Sequence, residues 1–111
     1  MSDSVGDLKG IPLNLKEHVA YAEGSVVSKT ILKKEIGSLT LFSFDSGQGL
    51  TEHTSPFDAV VTILDGQAEI TLGGEKKAVK SGEMLIMPAN IPHSLHAEEP
   101  FKMLLIMIRG E

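Results

Sequence analysis

The sequence predicts an all-β protein, a barrel or sandwich of about eight short strands. Three observations carry that expectation. Apolar and β-branched residues recur with period two in Ser25 to Leu32, Ser38 to Asp45 and Gln67 to Leu72. Turn signals at Asp65-Gly66, Gly73-Gly74 and Ser81-Gly82 separate such runs at short intervals. No segment of helical period is long enough to compete. With 111 residues there is enough chain for one hydrophobic core and too little for two. One domain over residues 11–111 is expected, preceded by a flexible arm over 1–10 that carries two glycines and few apolar residues.

Taken in order, Leu13 to Tyr21 has the spacing of a short helical turn, with Asn14 as cap and Glu17 three residues on. His18 lies within it and is expected to be a surface histidine. Ser25 to Leu32 and Ser38 to Asp45 follow as strands, joined by a hairpin connection across Lys33 to Gly37. Gly47 and Gly49 break the pattern, so Ser46 to Thr51 is expected to be loop. Ala59 to Leu64 and Gln67 to Leu72 flank an Asp-Gly step, a strong hairpin signal. Lys76 to Lys80, Glu83 to Met87, Ser94 to Ala97 and Phe101 to Ile108 complete the set. The last strand is apolar on both faces: Phe101, Met103, Leu105 and Met107 on one, Leu104, Ile106 and Ile108 on the other. A barrel has one interior, so the second face needs a cover. A second subunit, making a homodimer, is the expected one; a folded-back N-terminal segment is the alternative.

Composition excludes several classes of function. Fifteen acidic residues stand against 10 basic ones, and the basic residues cluster no further than Lys33/Lys34 and Lys76/Lys77. Phosphate neutralisation needs more, so nucleic acid is not an expected partner. The polar start and the absence of a long apolar run predict no membrane span and a cytoplasmic location. With no cysteine, disulfides, thiolate metal sites and cysteine nucleophiles are ruled out. Any metal must rest on His, Asp and Glu.

Two stretches then stand out. Gly47 to Gly66 delivers His53 at the mouth of an apolar strand, and Gly82 to Ala97 delivers His93 after a turn built on Pro88 and Pro92. Together they resemble the paired motifs of the cupin superfamily, whose members fold as small jelly-roll barrels. Gly47, His53 and Gly66 match the first motif, but Ser55 stands where its second histidine belongs and Ala59 where its glutamate belongs. Gly82, Pro88 and His93 match the second, with Asn90 in place of a glycine and Ala97 in place of an asparagine. The resemblance implies a cupin-type jelly-roll β-barrel with its site between the motifs. The superfamily includes oxygenases, isomerases, lyases, storage proteins and sensing domains, so it implies no single activity.

In metal-binding members those four positions hold one divalent ion, commonly iron, manganese, nickel or zinc. Here only His53 and His93 remain as candidate metal ligands, an incomplete set. Among neighbouring donors, His96 is expected to face outward by strand period, as is Glu52; Asp58 would need a bulge to reach inward, and Gln48 would have to swing in from its loop. The candidate ligand-binding residues are His53, Ser55, His93, Met87 and Met103, the methionines supplying adaptable apolar wall. The leading expectation is a small-molecule-binding protein acting as sensor, carrier or minimal enzyme on a compact polar ligand. A metal-dependent oxygenase or isomerase, and a structural dimer module with a vestigial pocket, remain open beside it.

Overall fold

The computed structural model describes residues 8–109, and the first seven residues of the expected arm lie outside that range. The described chain forms nine strands: β1 (Val26–Lys34), β2 (Gly37–Phe44), β3 (Gly49–His53), β4 (Ala59–Asp65), β5 (Gln67–Leu72), β6 (Glu75–Lys80), β7 (Met84–Met87), β8 (His93–His96) and β9 (Phe101–Ile108). They make two antiparallel sheets, one in the order β1-β2-β9-β4-β7 and the other β3-β8-β5-β6, the jelly roll that the sequence predicts.

The two inner faces meet over one apolar core. Phe44, Val61, Ile63, Phe101 and Met103 come from the first sheet, and Ala68, Ile70, Val79 and Leu95 from the second. Phe44 and Phe101 are fully buried and stack with ring centroids 4.5 Å apart at 14°. Each such ring stabilises the fold by about 2 kcal/mol through burial, and the stack adds about 1 kcal/mol. These large side chains fill one end of the space between the sheets. Ala59, at the other end, does not.

Two turn expectations separate cleanly. Gly73 and Gly74 have φ of 58° and 86° and close the β5-β6 hairpin, with Leu72 opposite Glu75; both central residues are left-handed, as this tight turn requires. Asp65-Gly66 is not a hairpin, because β4 pairs with β7 and β9 whereas β5 pairs with β6 and β8. Only Gly66, at φ 74°, is left-handed there, so the step forms a corner where the chain leaves one sheet for the other. A Cβ on Gly66 would collide with the Pro100 carbonyl oxygen. The expected loop over Ser46 to Thr51 is also corrected, since β3 begins at Gly49. Gly49 belongs in a strand because its backbone lies against the Leu95 carbonyl, where any Cβ would clash.

The outer face of the first sheet is covered in part from within the chain. Leu8, Leu15 and Val19 pack over Leu39, Leu41 and Leu104. The turn expected in this segment forms: the Glu17 amide donates to the Asn14 carbonyl and side-chain oxygens, at 3.1 and 3.3 Å. His18 departs in part from the surface expectation: the residue is half-buried, and its enclosed Nε2 meets no hydrogen-bond partner among the described residues.

Asp65 anchors the end of the same segment. Tyr21 donates its hydroxyl to the Asp65 carboxylate at 2.6 Å, Lys16 pairs with Asp65 at 3.4 Å, and the Lys102 ammonium lies 4.8 Å over the Tyr21 ring. Partial burial raises the Tyr21 phenol well above the ordinary tyrosine value, and the Asp65 bond and charge raise it further. The Tyr21 hydrogen bond in turn holds the Asp65 carboxyl below its usual range. A proton held more tightly in the folded than in the unfolded chain stabilises fully below the ordinary value of about 10, and that stability fades as pH climbs above it. Tyr21 is the only tyrosine and there is no tryptophan, so phenolate absorbance near 295 nm reports it alone. The folded protein is expected to titrate above pH 10 and Asp65→Asn to bring the midpoint down. An unshifted midpoint in the parent would show that the contact does not form in solution.

Candidate functional site

His53 and His93 are brought together by an irregularity in β3. Gly49 opposite His96 and Leu50 opposite Leu95 keep one register with β8, and His53 opposite His93 has moved on by one residue. An unbroken strand would set Glu52 against His93. The extra residue reverses the alternation and turns His53 to the inner face, as bulges beside functional sites commonly do. Sequence periodicity alone does not reveal this change of phase.

His93 is positioned by the turn before it. Asn90 adopts φ 67°, the left-handed region that asparagine tolerates better than most side chains. That conformation explains how it replaces the glycine of the motif. The Asn90 amide donates to the Ser55 carbonyl at 2.7 Å, so the two stretches are tied directly. Asp58, which would need a bulge to reach inward, instead accepts the Ala89 amide at 2.8 Å and braces this turn.

The imidazoles meet at the mouth of a cavity of about 270 Å³. Their Nε2 atoms are 3.1 Å apart, with the rings edge to face at 69°. Each Nδ1 donates to a backbone carbonyl two residues back, His53 to Thr51 at 2.8 Å and His93 to Ile91 at 3.2 Å. His93 is 5% exposed, and His53 lies open to solvent. Ser55 joins them, its oxygen accepting the Phe57 amide at 3.1 Å and its hydroxyl hydrogen left to donate. The remaining wall is apolar: Leu50, Ala59, Met87, Leu95, Met103, Leu105 and Met107.

All five residues singled out as ligand-binding candidates therefore border one space. Leu105 and Met107 extend that wall, and the period-two reading of the last strand already put them on the face of Met103. Leu50 escaped the sequence reading because its segment was read as loop. Met84, three residues before Met87 on the same strand, points the opposite way and is 58% exposed. His96 faces outward as expected, 3.5 Å from Glu98. Glu52 is exposed, and Gln48 does not border the cavity.

The chain belongs to the cupin domain family, whose sequence profile matches residues 40–108. Its fold is similar to that of a conserved Streptococcus pyogenes protein of unknown function, 41% identical over 92% of this chain and 90% of that one, with a TM-score of 0.86. A cupin 2 conserved barrel domain protein from Leptotrichia buccalis is 46% identical over 87% of this chain but 47% of its own length, with a TM-score of 0.85. Among curated proteins, an uncharacterised protein of Streptomyces coelicolor is 29% identical over 65 residues. That match spans 59% of this chain and 62% of the relative.

Cupin membership raises the question of a metal, and the donor set answers it. The four positions that hold the ion in metal-binding cupins all border this cavity, but they present two imidazoles, one hydroxyl and one methyl. Among the described residues no group of three His, Asp or Glu side chains comes together that could hold an ion. Two imidazoles fall short of the three or more protein donors of a stable divalent site. The residues present do not fit a resident metal.

Proposed function

We propose that this cupin is a cytoplasmic small-molecule-binding protein, a sensor or carrier whose ligand lies in the His53/His93 cavity. The observation that carries the reading is the convergence of two imidazoles and a free hydroxyl at the mouth of an otherwise apolar space of about 270 Å³. Small-molecule sites have this composition: an apolar pocket with a few convergent polar groups. A cavity of about 150 Å³ admits benzene, so this one admits a molecule of roughly ten non-hydrogen atoms. Its apolar body would lie along Met87, Met103 and Met107, and its polar end against His53, His93 and Ser55. No described helix is long and apolar enough to cross a membrane.

Thermal melting with hexanol, hexanamide, hexanoate and benzoate tests the reading. A ligand at about 100 times its Kd adds about 2.7 kcal/mol and raises Tm by about 10 °C in a domain of this size. Ala59→Leu, whose extra carbons project into the cavity, is expected to abolish the shift. No response from the parent to any of the four, or an equal response from the variant, would remove the basis for the reading.

We further propose a homodimer through the outer face of the first sheet. Ile86, Val60, Ile106, Leu39 and Leu32 form an unbroken cross-strand row there. Ile86, at 53% exposed, lies at the end that Leu8, Leu15 and Val19 leave open. A second copy would cover the open end of this row by the same surface, as a two-fold dimer requires.

A further inference from the structure

We propose that the cavity also takes cuprous copper, a soft monovalent cation, as exchangeable cargo held between the imidazoles of His53 and His93 and the thioethers of Met87 and Met107. This ion shares the cavity of the organic ligand but does not depend on it. The nitrogens come first. The Nδ1 of each ring is engaged by a backbone carbonyl, of Thr51 and of Ile91, so Nε2 is the free donor atom on both. These two atoms converge to 3.1 Å at the mouth. Imidazole nitrogens bound about 2.0 Å from one tetrahedral ion stand about 3.3 Å apart. The pair therefore already has the spacing of two ligands of one ion, and the carbonyls behind it are the outer contacts that fix a coordinating ring.

Sulfur supplies the remaining donors. Ala59 borders the same cavity with only a methyl, and its cross-strand partners are Met87 on one side and Met107 on the other. Directly opposed side chains on one face start about 5 Å apart, and methionine has three rotatable bonds, so each thioether can swing across Ala59 towards the nitrogens. Methionine lies outside the donor set expected from the sequence, because only the pairing of β4 with both β7 and β9 brings these two together. The kind of ion follows from the donors. Among the described residues no carboxylate, lysine or arginine borders the cavity, so the shortage that rules out a resident divalent ion stands. Thioether and imidazole are the donors that select monovalent copper, whereas the carboxylate that manganese prefers is missing. One charge also costs less than two to bring against walls of leucine and methionine.

Competition with the chromogenic cuprous chelator bicinchoninate, under nitrogen with ascorbate, tests this on the whole chain, with zinc as the comparison ion. The parent is expected to withdraw about one cuprous ion per chain from the chelator and to retain no zinc through gel filtration. Met87→Leu and Met107→Leu keep the apolar volume. Each should weaken cuprous affinity about tenfold and the double variant further, since even outer partners of a ligand are worth that much. Met84→Leu, on the opposite face, should change nothing. His53→Asn, at an exposed position that tolerates it, should lose the uptake altogether. In protein labelled at the methionine methyl carbons, silver(I), a redox-silent stand-in for copper(I), should move the signals of Met87 and Met107 and leave Met84 in place. Equal affinity in the parent and the Met87→Leu/Met107→Leu variant overturns the inference. So does no uptake by the parent, uptake retained by His53→Asn, or zinc held as tightly as the cuprous ion. None of these results bears on the organic ligand, which the melting shifts decide on their own.

Discussion

The double variant Ser55→His/Ala59→Glu is expected to turn this site into a divalent metal centre. Both positions border the same cavity as His53 and His93, and the two resident imidazoles already converge with their Nδ1 atoms held by carbonyls. Such outer hydrogen bonds are what orient a histidine for coordination. The variant supplies three imidazoles and a carboxylate, enough to satisfy an ion. Without metal, the new carboxyl in apolar surroundings should lower Tm below the parent's. With manganese, nickel or zinc at about 100 times Kd, the folded state should gain about 2.7 kcal/mol. Elemental analysis should find about one ion per chain in the reconstituted variant and none held in the parent. A variant that folds but takes up no ion would show that the four positions do not converge.

The second large effect is expected at the outer face. Ile86→Lys is tolerated by the monomer, because the side chain is half exposed there. In a two-fold dimer the substitution occurs twice, and each lysine either buries an ammonium or breaks the apolar contact. At about 2 kcal/mol or more per copy, dimer dissociation should strengthen by about a thousandfold. Sedimentation velocity at micromolar concentration should show a dimer for the parent and a monomer for the variant, with the Tyr21 phenolate titrating at the same pH in both. A monomeric parent would remove the homodimer from the account.

Much of this architecture is legible in the sequence, because period-two patterning and turn chemistry are local. Phe101 to Ile108 was bounded to the residue, and the alternation of Met103, Leu105 and Met107 placed the cavity wall. What escaped the sequence depends on distant parts of the chain. Asp65-Gly66 looks like a hairpin because that dipeptide favours left-handed backbone, but which strands pair across it is decided by β7, β8 and β9. Glycine at 49 reads as a break until the Leu95 carbonyl is seen to occupy the place of its side chain. The bulge that aims His53 has no local signature, and without it the same residues would present Glu52. In the sequence Asn90 only departs from the glycine of the motif; its left-handed backbone shows that asparagine does the work of that glycine.

The cavity can be read directly through its methionines. Of the five in the chain, Met87, Met103 and Met107 border it, whereas Met84 lies on the opposite face of the sheet. In protein labelled at the methionine methyl carbons, titration with hexanoate is expected to move the signals of Met87, Met103 and Met107 and leave Met84 in place. Three unmoved cavity signals at concentrations that raise Tm, or a shift confined to Met84, would place the ligand elsewhere and contradict the account.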